Sequence, residues 1–374
     1  MALEDVAEPV PDEDLRDLGQ AAEVPRRRAS HAISMTLVVA AALALAGGAA
    51  AGIHVPRGFQ ASVYASGLTH PTAMAFGPDG RLYVTEEGGD LAVVDPKTRL
   101  LTPFLVGLPT PLGLVWRGRT LFVSVSGGIR SARLSGGRAT ARRTIVRGLP
   151  FRRHQQDNVL VGRDGRLYLG SGSTCDVCRE RDRRSATILS FRLDGSDLRI
   201  VASGLRNPYG LALEPRTGRL FASVNGQDSL GPSEPAEAIV RIRPGGRYGW
   251  PTCRPSRRLL RLVGSCRGVT PPVAYLEPHS SADGLVFYRG DLFVAEWGEY
   301  LSKRRGRKLV RVPFDRRGRP RARVASTFAT GFDHPLALAL DRRGGLLAAD
   351  WGRGTIYRIA PARAAESVRR LLTL

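Results

Sequence analysis

The chain has 374 residues, 43% of them hydrophobic, enough to bury the core of one large β domain or two smaller ones. Its 43 glycines and 25 prolines punctuate it with turns throughout, which favours many short strands over long helices. The net charge is +22, but the basic residues are almost all arginines scattered over turns rather than gathered on one helix, which argues against a nucleic-acid partner.

Residues 1–31 form an acidic leader without periodicity that ends in the basic cluster Arg26-Arg27-Arg28, and they read as disordered. Residues 32–53 follow as an uncharged run of 22 with a small-residue end, GGAAAG. This is the pattern of a secretory signal peptide, cleaved after Ala51, or of an uncleaved membrane anchor. Both place the rest of the chain outside the cytoplasm.

From residue 54 one unit recurs: an apolar alternation, a polar turn often reading Asp-Gly, then Leu-aromatic-Val and a second polar turn. Aligned on the leucine after the turn, the copies are Leu82, Leu121, Leu167, Leu220, Leu292 and Leu346, spaced by 39, 46, 53, 72 and 54 residues. Each interval holds a four-stranded sheet with a variable excursion, the size of a propeller blade. The expectation is therefore an all-β fold, a six-bladed β-propeller over 54–362, followed by a C-terminal tail over 363–374. The segment FQASVYASGL after the apolar run supplies the outer strand that closes the ring. The longest excursions, Ser171 to Ser185 and Gln227 to Ser281, are the places to look for chemistry.

Both excursions carry cysteines. An even count of four in an exported chain points to disulfides, most simply Cys175–Cys178 and Cys253–Cys266, with a four-cysteine zinc site as the alternative. His154, His279 and His334 lie on the loops that lead into the third, fifth and sixth blades, and His70 precedes the first. Such loops meet around one end of a propeller channel, so these histidines are expected to converge. Arg206 and Asn207 hold the matching position of the fourth blade, either as a bridge and a turn cap or as donors aimed at an anion or carbonyl oxygen. The loop after that hairpin, Asn225-Gly226-Gln227-Asp228, reads either as a tight turn or as a source of main-chain carbonyls for calcium.

These motifs in combination carry a resemblance. The histidine of HQQDNVLVGRDGRLYLG, the pair TCDVC, then GLRNPYGLALEP, NGQD, YGWPTC, HSSADGLVFYRG, WGEY and KLVRVPF, with VPRGFQASVYASGL at the start, resemble the pyrroloquinoline-quinone-dependent soluble glucose and L-sorbosone dehydrogenases. The resemblance implies a six-bladed propeller and an exported oxidoreductase that needs the quinone and Ca2+, oxidises a small-molecule sugar or alcohol, and hands the electrons to an external acceptor. It makes His154 the general base for the anomeric hydroxyl while hydride passes to the quinone C5 carbon. It makes Arg206 and Asn207 cofactor ligands that stabilise charge on the C5 oxygen. The convergence of the entry loops, rather than the resemblance, adds His279 and His334 as expected cofactor contacts. The backbone carbonyls of Gly226 and Gln227 map onto the calcium ligands. The chain departs from the family pattern at Val224 and Gln227, where charge is expected, at Phe332-Asp333-His334-Pro335, and at Pro232-Ser233, which leaves Glu237 as the nearest downstream acid. Two other readings accompany it: a calcium-dependent lactonase-like hydrolase, and a non-catalytic propeller that has lost its cofactor.

Overall fold

The computed structural model describes residues 52–299 and 304–362. The leader, the apolar run as far as Ala51 and the tail from 363 lie outside them. Among the described residues every regular element is a strand, and no helix is long and apolar enough to cross a membrane.

Strand β1 (Phe59–Ala65) precedes the first blade, which consists of β2 (Pro71–Phe76), β3 (Leu82–Glu86), β4 (Leu91–Val94) and β5 (Leu101–Leu105). The second blade is β6 (Gly113–Arg117), β7 (Thr120–Val125), β8 (Gly128–Ser135) and β9 (Arg138–Val146), and the third is β10 (Gln156–Val161), β11 (Leu167–Ser171), β12 (Thr187–Phe191) and β13 (Arg199–Ser203). The fourth begins with β14 (Leu211–Leu213), β15 (Leu220–Val224) and β16 (Ala238–Arg241). It is then interrupted by β17 (Gly246–Arg247) and the ribbon β18 (Cys253–Ser256) and β19 (Arg261–Gly264), and resumes with β20 (Ala274–Tyr275). The fifth is β21 (Ala282–Tyr288), β22 (Asp291–Glu296), β23 (Lys308–Val312) and β24 (Ser326–Ala329), and the sixth starts with β25 (Pro335–Leu340), β26 (Leu346–Asp350) and β27 (Thr355–Pro361).

Each sheet runs antiparallel in chain order, the arrangement of a six-bladed propeller, and β1 pairs with β27 so that the two ends of the ring share the sixth sheet. The closing role expected for FQASVYASGL is thereby met. The insert of the fourth blade lends β17 as a parallel fifth strand to the third sheet. All six reference leucines lie on the second strand of their blades. They are buried because the alternation that makes the strand points them into the seam between sheets.

The core is correspondingly divided. Six apolar clusters occupy the six seams between neighbouring blades, such as Phe221, Ile239, Phe287 and Phe314 between the fourth and fifth. Each fully buried side chain of this size contributes about 1.5–3 kcal/mol. Near the axis the seams become too narrow for side chains. A Cβ on Gly210 would lie 2.1 Å from the Asp283 carbonyl oxygen, and one on Gly170 2.0 Å from that of Pro208. Glycine at these points lets the segment leading into β14 lie against β11 on one side and β21 on the other.

Candidate active site

The hairpin of β14 and β15 returns the chain to its starting level. The main chain records this directly, since the Asn225 N–H donates to the Asn207 carbonyl at 3.0 Å. The two polar ends of the hairpin, Arg206-Asn207 and Asn225-Gly226, thus stand side by side. They open on a cleft of about 910 Å³ at one end of the propeller, lined also by Arg153, His154, Asp228, Glu237, His279, Trp297 and Glu299. That is the volume range of small-molecule sites.

His154 is placed by its backbone, whose N–H donates to the Ser173 carbonyl at 3.1 Å. Its ring Nδ1 lies 3.2 Å from the Ser173 carbonyl and 3.0 Å from Ser173 Oγ, which itself donates to the Cys175 carbonyl at 2.7 Å. A carbonyl can only accept, so Nδ1 carries the proton and Nε2 keeps the lone pair. Burial, reinforced by the Arg206 charge, lowers the His154 pKa to about 3. The ring is therefore neutral at physiological pH.

Arg206 is buried, and it is engaged from one side by two carboxylates: Nη2 donates to Asp176 Oδ1 and to Asp228 Oδ2, each at 2.7 Å. Its Nε donates to the Asp176 carbonyl at 3.3 Å, which leaves the Nη1 hydrogens for a ligand. Arg153 reaches the same Asp228 oxygen at 2.6 Å. The charge of the two arginines is thus largely balanced within the site.

Asp176 lies between Cys175 and Cys178, which form a disulfide, as do Cys253 and Cys266. The pairing matches the simplest expectation. Among the described residues one cluster has metal-ligand spacing, Cys175, Cys178 and Glu180. Its thiols are consumed by the disulfide, so the zinc alternative is set aside. Asp176 also accepts the Asp228 N–H at 2.9 Å, and its carbonyl accepts Trp250 Nε1–H at 3.1 Å.

The loop after β15 is no tight turn. The chain takes residues 225–237 to reverse from β15 into its antiparallel neighbour β16, and a Cβ on Gly226 would lie 2.3 Å from Pro235 Cγ. Only glycine fits there. Glu237 accepts the Gly226 N–H; it is fully buried, and desolvation raises its pKa to about 8.

The expected residues do not all meet. His154, Arg206, Asn207, Gly226 and His279 line one cleft. His279 Nε2 is spent on the carbonyls of Gly231 and Glu234, at 2.9 and 3.0 Å, and so pins the insert rather than facing a ligand. The His334 ring packs on Trp297, centroids 4.1 Å apart, and stands behind the wall that Trp297 presents. Gln227 does not line this cleft and borders instead a small, mostly apolar pocket with Val224, Pro235 and Trp250. Asp176 and Trp297 were not singled out from the sequence. The one signal for Asp176 is its place between two closely spaced cysteines.

The family comparison bears on this geometry. Residues 124–329, more than half of the chain, match the model of the glucose/sorbosone dehydrogenase family. The chain belongs to that family. Membership makes it an oxidoreductase of the sugar-dehydrogenase class. A Borreliella burgdorferi protein of uncharacterised function is 24% identical over 82% of this chain and 90% of its own length. Among solved structures, a Thermus thermophilus oxidoreductase described as a glucose dehydrogenase is 25% identical, with a TM-score of 0.65 over 81% of this chain and all of that one. The quinone domain of pyranose dehydrogenase from Coprinopsis cinerea (22%, TM-score 0.73, covering 82% and 96%) shares the fold. So does the quinone-bound aldose sugar dehydrogenase of Streptomyces coelicolor (23%, TM-score 0.64, covering 82% and 100%).

Proposed function

We propose that this member of the family is an exported dehydrogenase that oxidises an aldose or sorbosone-like sugar, using pyrroloquinoline quinone and calcium. The observation that carries the reading is the tautomer of His154. Its proton is fixed on Nδ1 by Ser173, so the lone pair of Nε2 is available in the cleft beside Arg206 and Asn207.

The donor set fits the reacting end of such a cofactor. Arg206 offers its Nη1 hydrogens and Asn207 an amide, both beside the Gly226 loop. The main-chain carbonyls of Gly226 and Gln227 are the oxygen donors a hard cation prefers. When bound, the quinone supplies the two-electron acceptor. His154 Nε2 takes the proton of the anomeric hydroxyl as the C1–H bond gives up its hydride, and the sugar leaves as a lactone. Arg206 holds a positive edge where negative charge develops, and Asp176 with Asp228 holds the guanidinium in place. Trp297 presents an aromatic face to an apolar sugar surface. The two disulfides suit an oxidising compartment, in keeping with export.

The test is to supply the purified protein with quinone and calcium and follow dye reduction over a panel of aldoses. Sugar-dependent reduction that requires both additions is expected. Absence of reduction, with no spectral change of the added quinone, would overturn the proposal. The balanced charge of Arg206 favours a cofactor-free propeller as the second reading, and equal behaviour of wild type and His154→Ala in every assay would select it.

A further inference from the structure

Beneath the cleft, where the inner strands crowd the propeller axis, two carboxyl groups are buried without any cation. Asp157 stands on β10 and Asp283 on β21, on either side of the segment that leads into β14. Close contacts fix this: a Cβ on Gly170 would meet the Pro208 carbonyl at 2.0 Å and Asp157 Cβ at 3.7 Å, while one on Gly210 would meet the Asp283 carbonyl at 2.1 Å. Tyr209, between those two contacts, brings its hydroxyl into the fields of both acids.

Three oxygens there lack partners. Asp157 Oδ2, Tyr209 Oη and Asn225 Oδ1 are buried and make no hydrogen bond, in residues that are each more than nine-tenths buried. Asn225 is oriented by its Nδ2, which donates to Asp283 Oδ1 at 3.0 Å. Neither acid receives any stabilising charge: Asp283 is helped by Asn225 and Ser281 alone, and Asp157 feels only the repulsion of Asp283. In a chain with 56 lysines and arginines this absence among the described residues is a distinct feature of the site.

Buried charges are paired or bind metal, and water would satisfy the orphaned oxygens without neutralising the acids. The donors are all oxygen, with two carboxylates, an amide carbonyl and a phenol, which selects a hard cation over a transition metal. We propose that the axis of the propeller holds a divalent cation of the calcium class, ligated by Asp157, Asp283, Asn225 Oδ1 and the Tyr209 hydroxyl. This site uses none of the carbonyls of the Gly226 loop and needs no quinone. It ties the third, fourth and fifth blades together at the axis.

The experiment uses the full chain without quinone. Metal is stripped with a chelator, calcium chloride is restored, and bound calcium is counted by elemental analysis after gel filtration. The double variant Asp157→Asn/Asp283→Asn is run beside the wild type. The wild type should keep one more equivalent of calcium than the variant, and calcium should raise its unfolding midpoint but not that of the variant. Equal calcium content in the two proteins, or a wild-type midpoint indifferent to calcium, would overturn the site and leave a pair of protonated acids. Should the double variant fail to fold, terbium emission excited through tyrosine decides. It should fall in Tyr209→Phe, and unchanged emission would also overturn the proposal.

Discussion

Arg206 and Asp176 are joined across the mouth of the cleft by a 2.7 Å ion pair, with the arginine buried and the aspartate held inside the Cys175–Cys178 loop. The pair converts a disulfide loop into a support for a cleft residue. Arg206→Ala leaves Asp176 and Asp228 without their shared partner. Because Asp228 keeps half of its side chain in solvent, the expected loss is about 2 kcal/mol rather than the larger cost of a fully buried pair. Urea midpoints measure it. Asp176→Asn should cost less, since Arg206 retains Asp228, and a loss as large as that of Arg206→Ala would contradict the clamp.

The neutral state of His154 sets a pH signature. Burial, and then Arg206, lowers its pKa from 6.5 to about 3, so the folded chain binds fewer protons than the unfolded chain between those values. Stability from this group is present above about 6.5 and is lost as pH falls towards 3, by at most about 1.4 kcal/mol per pH unit. His154→Gln should flatten that part of the stability curve. Activity of the wild type should show no acidic limb near 6.5, whereas His154→Gln should lower kcat by on the order of 100-fold or more with quinone binding retained. A limb centred near 6.5 would mean that the ring is solvated during turnover.

The blades were legible because each needs a second strand whose leucine is sealed in a seam, and period-2 alternation reports that burial locally. His154, Arg206 and Gly226 were legible for a related reason: each sits at a fixed distance from a hairpin end, and hairpin ends share one level. Asp176 could not be read in this way, because its contacts with Arg206 and Asp228 span 30 and 52 residues and depend on how two loops fold against each other. The same holds for His279 and His334. Their positions along their blades were visible, but the Gly231 and Glu234 carbonyls and the Trp297 ring that occupy them come from other parts of the chain. Asp157 and Asp283 looked like ordinary strand residues, since only closure of the ring brings them to the axis.

Gly226→Ala tests the loop without touching a charge. The added Cβ would fall 2.3 Å from Pro235 Cγ, and a proline ring cannot swing aside as a flexible side chain would. The loop must shift, and its carbonyls shift with it. The expected outcome is weaker calcium activation and a drop in kcat/KM on the order of 100-fold, with the unfolding midpoint in quinone-free buffer changed far less. Unaltered calcium dependence would show that the Gly226 carbonyl takes no part.

Glu296 gives the opposite pH sign at a site away from the chemistry. Desolvation raises its pKa from 4.5 to about 7 in spite of Lys308, whose ammonium lies 3.4 Å from Oε2 but 2.6 Å from Glu277. The folded chain therefore holds a proton that the unfolded chain has released. The stability involved is complete below about 4.5 and is lost as pH rises through 7. Glu296→Gln keeps the shape and removes the titration, and Lys308 still has Glu277. The variant should match the wild type at pH 4 to within a few tenths of a kcal/mol and exceed it at pH 8 by about 1–3 kcal/mol. Urea unfolding at the two pH values measures the difference, and a constant offset between the proteins would mean that Glu296 is ionised in the folded chain throughout.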